Sequence, residues 1–265
     1  MTSRAKNWTA VVLAGQRPGP DILASHFGLE FKAMVLVGGI PMVTRVVATL
    51  ATTPGIGRII VLTQEPQSIR AAVDAGGAAT ILESGSGIST SILSIAGSDA
   101  ASWPLLVTTA DHPLLTRAMV EEFLDKAEQA DVSVGMVDKA TMLAAYPDTR
   151  RTWLKFSDGH WSGANLFALR NARAQAVLRL WSAAEQDRKK AWKLFMHFGP
   201  WLALRALTRT IGLRAALAKA GRRLGLSAQL VALSQAEAAI DVDKPADHAI
   251  AERILSARAA ASDQA

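Results

Sequence analysis

The sequence predicts an α/β protein: a doubly wound, mostly parallel sheet with helices on both faces, plus a basic α-helical insertion. Three observations predict it. Short β-branched apolar runs recur at Thr9–Leu13, Arg58–Leu62, Leu105–Thr109 and Val132–Val137. Helical segments separate most of them. The first run closes at Gly15 and the third ends at Asp111-His112-Pro113, as buried strands do where the chain leaves a sheet. Strands that alternate with helices need crossover connections, and those connections make the sheet parallel.

The elements follow in order. Thr9–Leu13 is a buried strand that runs into the Gly/Pro-rich loop Gly15–Pro20. Ala33–Val37 is short and apolar, and Gly38-Gly39-Ile40-Pro41 is a turn. Pro41 can open a helix over Met42–Ala51, because proline is tolerated in a first turn. Arg58–Leu62 is the second buried strand, Pro66–Ala75 a helix and Ala79–Leu82 a short strand. Ser84–Ser89 is a loop of small residues, and a helix follows at Thr90–Ala96. After the strand Leu105–Thr109, Thr116 caps a helix over Arg117–Ala130, and Val132–Val137 is again a strand. Trp153–Phe156 and Gly163–Leu169 pair as a hairpin signalled by Asp158-Gly159. Asn171–Ala184 is helical, Ala239–Val242 is the last strand and Pro245–Ala259 the last helix. The simplest parse is one domain over residues 1–265 with a helical insertion at 185–236.

Composition narrows the chemistry. The chain has 265 residues, half of them apolar, enough for one large domain with a buried core. It has no cysteine, which excludes disulfides, thiolate zinc sites and cysteine nucleophiles. A metal would therefore sit on oxygen or imidazole, and carboxylate ligands favour Mg²⁺ or Mn²⁺. No charge-free run of about 18 apolar residues occurs, so no membrane span is expected. Trp8–Ala14 is too short for a signal-peptide core, and the cytoplasm is the expected location. The net charge of +6 is local: ten of the 29 basic residues and none of the 23 acidic ones lie between Arg188 and Ala236. The rest of the chain is net acidic, so that one segment is marked for an anionic partner.

Several constellations can carry chemistry. In a parallel sheet, ligands bind beyond the carboxyl ends of the strands. Leu13, Ala14, Gly15 and Gln16 lie there, and backbone N–H groups of such a loop can turn towards phosphate. Arg17 and Lys32 would add side-chain charge. The loop is neither a Walker A sequence nor a dinucleotide fingerprint, and an ordinary strand–helix loop with surface cations is an equal reading. Asp111, at the end of a buried strand, is placed for a Mg²⁺ ion; the competing role is a turn or cap aspartate. Asp241 and Asp243 are two apart, and on a strand would point the same way, so one could share a metal with Asp111. Asp243 could equally open the final helix. Arg150, Arg151 and Lys155 suit an anionic acceptor, Gly163 would let a ligand approach the backbone, and Asn165 offers donor and acceptor together. A solvated cationic hairpin is the plain alternative. Ser84, Gly85 and Ser89 could meet a base, although capping alone would explain such residues at a helix start.

Taken in order, Val12-Leu13-Ala14-Gly15, Arg17, Lys32-Ala33-Met34, Val37-Gly38-Gly39-Ile40-Pro41-Met42, Thr109-Ala110-Asp111-His112-Pro113 and Asp241-Val242-Asp243-Lys244-Pro245-Ala246-Asp247 resemble the MobA-like NTP transferases. These are the nucleotidyltransferases that share a fold with molybdenum-cofactor guanylyltransferase and methylerythritol-phosphate cytidylyltransferase. The resemblance implies a Rossmann-like, GT-A type sheet holding an NTP and Mg²⁺ (or Mn²⁺). It implies that the Gly15 loop cradles the triphosphate, that Lys32 is the loop lysine, that Asp111 holds the metal, and that Asp241 or Asp243 is the second carboxylate. The chain departs from the pattern at Gln16, where a small residue is usual, and in a long interval from Arg17 to Lys32.

The implied reaction is attack of an acceptor phosphate or hydroxyl on the α-phosphorus, with release of pyrophosphate. Transfer to a small phosphorylated acceptor is expected, with CTP favoured as in many headgroup activations. A phosphorylated acid or polyol of a lipid or envelope pathway is an example of such an acceptor. The insertion interleaves Trp192, Phe195, Phe198, Trp201, Leu202, Leu204 and Leu207 with cations, and Pro200 breaks it into at least two helices. It reads either as an amphipathic lid or as a peripheral contact with an anionic inner membrane surface through residues 188–223. No nucleic-acid pattern is present. Two other functions remain open: a glycosyltransferase using a nucleotide-sugar, and a non-catalytic membrane-associated binding module. The first would place a closely spaced Asp-x-Asp where this chain has Asp111-His112-Pro113.

Overall fold

The computed structural model describes residues 8–16, 19–85, 87–149, 151–186 and 200–262. Arg17 and Arg150 lie outside these residues, as do the first cations and aromatic residues of the basic segment, from Arg188 to Phe198.

Strands β1 (Trp8–Leu13), β4 (Ile56–Thr63), β5 (Thr80–Glu83), β6 (Leu105–Thr109), β7 (Val132–Asp138), β8 (Leu154–Phe156), β9 (Gly159–Leu169) and β10 (Ala228–Ala232) build one eight-stranded sheet. Its order is β10-β7-β9-β6-β1-β4-β5, with β8 paired to β9. β1 lies parallel between β4 and β6, while β9 runs antiparallel to β6, β7 and β8. The sheet is therefore mixed and mostly parallel, as the alternation of strands and helices predicts.

Side chains alternate across the sheet, and this builds two core layers. Ala10 and Val12 of β1 face one layer, formed with α2 (Met42–Thr52), α3 (Pro66–Gly76), α5 (Arg117–Ala127) and α10 (Pro245–Ser262). Val11 faces the other, with Ile60, Val107, Ile92 of α4 (Ile88–Ile95) and Leu178 of α7 (Gln175–Gln186). Each of these side chains is almost completely buried, and burial of each valine, isoleucine or leucine stabilises the fold by about 2 kcal/mol. The Gly38-Gly39 turn joins the two-residue strands β2 (Leu36–Val37) and β3 (Ile40–Pro41). Both glycines have positive φ, the requirement of a tight hairpin turn.

Four elements differ from the sequence reading. The expected last strand, Ala239–Val242, is not one: Ala239 ends a short 3-10 turn (Ala236–Ala239), and residues 240–243 are irregular. Residues 240–243 cross beyond β6, whose two edges are already taken by β1 and β9, and are tied there by Val242 N–H, which donates to the carbonyl of Asp111 at 2.9 Å. The segment expected to be wholly helical carries α8 (Pro200–Leu207) and α9 (Leu213–Arg223), but also β10. Ala228–Ala232 pairs in parallel with β7, whose outer edge it covers. The loop between Gln16 and Lys32 contains a short helix, α1 (Ile22–His26), capped by Asp21, which accepts from Leu23 and Ala24 N–H at 2.9 Å each. A further helix, α6 (Lys139–Ala145), follows β7 directly, capped by Asp138.

Candidate active site

The carboxyl ends of β1, β4 and β6 open into a cleft of about 540 Å³. One wall is the β1 loop with Gly15 and Gln16, and the facing wall is the start of α4 with Gly85 and Ile88. Lys32, Asp111 and Asp243 lie at its floor. This is where ligands are expected in an open α/β sheet.

Lys32 joins the floor together. Its Nζ donates to Asp111 Oδ2 at 2.6 Å and also to Asp243 Oδ1. Burial alone would lower the Lys32 pKa, but the two carboxylates outweigh it and hold the ammonium above its usual range. Lys32 comes from the single turn after the long loop, Asp111 from the end of β6, and Asp243 from the segment crossing beyond β6. Three remote parts of the chain thus meet on one charge.

Gln16 explains how the long loop is held. Its side-chain Nε2 donates to the carbonyl of Glu30 at 3.0 Å, and its Oε1 accepts from Lys32 N–H at 3.4 Å. A small residue here could not make this bridge. Gln16 N–H in turn donates to Gln64 Oε1 at 3.0 Å. A Cβ on Gly15 would come within 2.8 Å of the Gln64 side-chain amide, so a larger residue there would push that amide away from its bond with Gln16.

Asp241 serves a different set of partners. Its carboxylate accepts from Arg151 Nη1, and from Asn165 Nδ2 at 3.5 Å. Burial, with the neighbouring Asp243 charge, pushes its pKa up, against the pull of Arg151. Asn165 has φ 49° in the irregular stretch of β9 where register with β7 shifts, a backbone state rare for a non-glycine residue. The Arg151–Asp241–Asn165 cluster lies beside the floor of the cleft, close enough for Asp111 to raise the Asp241 pKa.

The other sequence-selected residues fall as follows. Leu13, Gly15, Gln16, Ser84 and Gly85 line the cleft. Ala14 is buried and continues the pairing of β1, with N–H donating to Leu62 C=O at 2.8 Å. Ser89 is fully buried, with its Oγ donating to Glu185 of α7 at 2.5 Å, so it braces α4 and does not line the cleft. Lys155 lies on β8 opposite His160, and a Cβ on Gly163 would meet nothing within 4 Å; neither residue lines the cleft. Sequence reasoning missed Gln64 and Ile22, both lining the cleft; Thr109 of the motif before Asp111 and Ile88 beside Gly85 line it too. Gln64 could have been found, since it closes a buried strand at the same sheet edge.

The cleft lining carries three buried polar atoms, Ser84 Oγ, Thr109 Oγ1 and Asp111 Oδ1, that find no hydrogen-bond partner among the described residues. Such atoms are rare in folded proteins and concentrate where a ligand, ion or water completes the site. His112, next to Asp111, is buried, and burial pushes its pKa down to about 4, so it is neutral at physiological pH. Among the described residues no three acidic or histidine side chains are grouped to hold a metal. Asp111 with its orphan oxygen and the exposed Asp243 offer two carboxylates. Mg²⁺ commonly needs no more, taking its other oxygens from water and substrate phosphate. The donor set fits a divalent ion shared with a phosphate ligand. It does not fit an all-protein cage.

The model of the MobA-like NTP transferase domain matches residues 10–224. No protein of curated function matches the chain. Among solved structures, a hypothetical transferase from Thermus thermophilus is 28% identical, with a TM-score of 0.74 over 91% of this chain and 99% of its own. A 4-diphosphocytidyl-2C-methyl-D-erythritol synthase from Anaerococcus prevotii aligns with a TM-score of 0.58 at 12% identity, over 95% and 96% of the two chains. A CMP:2-keto-3-deoxy-manno-octonic acid synthetase complexed with CTP aligns with a TM-score of 0.56 at 14% identity, over 95% and 99%. The last two likenesses establish a Rossmann-like sheet shared with nucleotidyltransferases.

Proposed function

The chain belongs to the family of MobA-like NTP transferase domains, and from that premise we propose that it transfers a nucleoside monophosphate from an NTP, CTP by preference, to a small phosphorylated acceptor. The observation that carries this reading is the floor of the cleft, where one ammonium, Lys32, meets the carboxylates Asp111 and Asp243 below the Gly15 loop.

In this reading the triphosphate lies along the loop from Leu13 to Gln16, with Arg17 and Lys32 neutralising charge as pyrophosphate leaves. Ser84 and Gly85 face the base. Asp111 and Asp243 would hold Mg²⁺ (or Mn²⁺), which when bound would supply charge neutralisation to phosphate oxygens. Asp241 keeps to the other side, where with Asn165 it orients Arg151 towards the acceptor; Arg150, Lys155 and Gly163 belong to that same acceptor side. Most of the rate comes from positioning and fixed charge, because transfer between phosphates needs little covalent help. CTP is favoured by analogy with the two cytidine-linked structural neighbours. The acceptor class we assign is a phosphorylated acid or polyol of a lipid or envelope pathway, handled in the cytoplasm.

The test is pyrophosphate release from each of the four NTPs in turn, with a panel of phosphorylated acceptors. CTP-dependent release that requires both acceptor and divalent ion supports the reading. Release of a free nucleoside diphosphate from a nucleotide-sugar, with no pyrophosphate from any NTP, would replace it by glycosyl transfer.

A further inference from the structure

Helices α8 and α9 present a surface that the cleft chemistry leaves unused. On α8, Trp201 is 68% exposed, Leu207 81%, and Leu204 is exposed between them. These three residues are spaced by three, so they form one stripe along a short helix. Single exposed apolar residues are ordinary, but a contiguous stripe marks a contact surface.

Beside that stripe is a groove of about 330 Å³ lined by Trp201, Leu202, Arg205, Lys219, Arg222 and Arg223. Four cations and two apolar side chains make up its wall. No acidic residue occurs between Arg188 and Ala236, so nothing within the segment neutralises them. The base of α9 is fixed. Asp158 accepts from Leu213 N–H at 2.7 Å and Arg214 N–H at 3.1 Å. The Arg214 guanidinium lies 5.4 Å from the Trp161 ring centre and donates to the Leu230 carbonyl at 3.2 Å. The cations at the far end of α9 therefore stand on a helix anchored to the hairpin and to β10. A favourable helix dipole would account for Arg222 and Arg223 in the last turn. It does not account for the Trp201–Leu204–Leu207 stripe.

We propose that α8 and α9 form a docking surface for an anionic phospholipid bilayer. Trp201, Leu204 and Leu207 enter the interfacial layer, where amphipathic rings and apolar side chains are favoured. Arg205, Lys219, Arg222 and Arg223 meet the lipid phosphates. Charge complementarity selects an anionic partner, and the apolar stripe selects a bilayer over a nucleic acid, which would leave the leucines in water. Attachment is weak and reversible, because each cation near an anionic surface strengthens partitioning only about fivefold. The surface deepens the lipid-precursor reading above by naming the membrane as partner. It does not depend on nucleotide transfer, so the two can fail separately.

The experiment is co-sedimentation of the full chain, without nucleotide, with vesicles of phosphatidylcholine alone or mixed with phosphatidylglycerol. The chain is expected to sediment with the mixed vesicles at low salt, to be released by high salt, and to ignore the neutral ones. Arg222→Gln with Arg223→Gln should weaken partitioning about 25-fold. Trp201→Ser with Leu207→Ser, at unchanged charge, should weaken it about tenfold or more. An unchanged circular dichroism spectrum shows that both variants stay folded. Three results overturn the proposal: no partitioning to anionic vesicles, equal partitioning to neutral ones, or loss in the arginine variant with none in the Trp201/Leu207 variant. The last would leave only a general polyanion site.

Discussion

Lys32 carries two roles in one ammonium: it would neutralise phosphate during transfer, and in the structure it holds Asp111 and Asp243 together. Replacement by alanine removes a charge that the proposed reaction places beside the reacting phosphates, and turnover should fall at least about 100-fold. Far-UV circular dichroism and cooperative unfolding should stay as in the parent protein, because the pair is at the floor of an open cleft and not in the core. A variant retaining near-parental turnover would remove Lys32 from the mechanism. Binding of Mn²⁺ without nucleotide gives a second readout. Lys32 competes with a divalent ion for the same two carboxylates, so Lys32→Ala should bind Mn²⁺ more tightly, measured by the fall of free-ion paramagnetic resonance signal. Gln16 works through the loop instead. Gln16→Ala deletes two side-chain hydrogen bonds that tie Glu30 and Lys32 to the β1 loop, each contributing about 1 kcal/mol. Steady-state kinetics should show KM for the nucleotide rising roughly fivefold or more with kcat changed less, since the loop loosens while its charges remain.

At the scale of elements, Asp158 shows how a hairpin can position a helix. It lies between β8 and β9 and accepts from two N–H groups of the first turn of α9. Those bonds hold its carboxyl below the usual range in spite of the opposing effect of burial. A depressed carboxylate pKa contributes stability above the ordinary value, 3.8, and that contribution is lost as pH falls through the folded-state value. Asp158→Asn should therefore cost about 1 kcal/mol at neutral pH by urea unfolding, and the difference from the parent should shrink in acid. An equal difference at every pH would mean that the charge is irrelevant. The hairpin itself was readable from Asp158-Gly159, and the cleft floor from Leu105–Thr109 followed by Asp111, because a buried strand ending in a carboxylate is a local pattern. Residues 240–243 were not readable in the same way. Ile240 and Val242 are buried like strand residues, yet β6 has no free edge to pair with them, and edge occupancy is settled by the whole sheet. β10 was hidden for the converse reason: its five residues sit in a stretch whose charge and composition read as helix, and only the open edge of β7 makes them a strand. Gln16 departs from the family pattern because its side chain reaches Glu30 and Lys32, a contact made through a loop fold that sequence spacing does not encode.

Across the whole molecule, the cleft draws on residues spread over most of the chain: Gly15, Lys32, Ser84, Asp111 and Asp243. A ligand that bridges them ties the β1 loop, the start of α4 and the segment before α10 to one sheet edge, and global unfolding must release it. Ligand present at about 100 times its Kd stabilises such a protein by about 2.7 kcal/mol. For a chain of this size that is a rise in Tm of roughly 5–10 °C. In the proposed reading Asp111 and Asp243 take a divalent ion, and the effect then depends on that ion. CTP with Mg²⁺ should raise Tm in a thermal denaturation scan by more than CTP and Mg²⁺ do separately. Asp111→Asn should keep the response to CTP alone and lose the increment that Mg²⁺ adds. If GTP with Mg²⁺ stabilises more than CTP with Mg²⁺, the preference for cytidine falls while the nucleotide site stands. If no NTP shifts Tm with or without the ion, the assignment of the cleft itself falls, because five residues this far apart in sequence cannot be bridged without being felt in the unfolding transition.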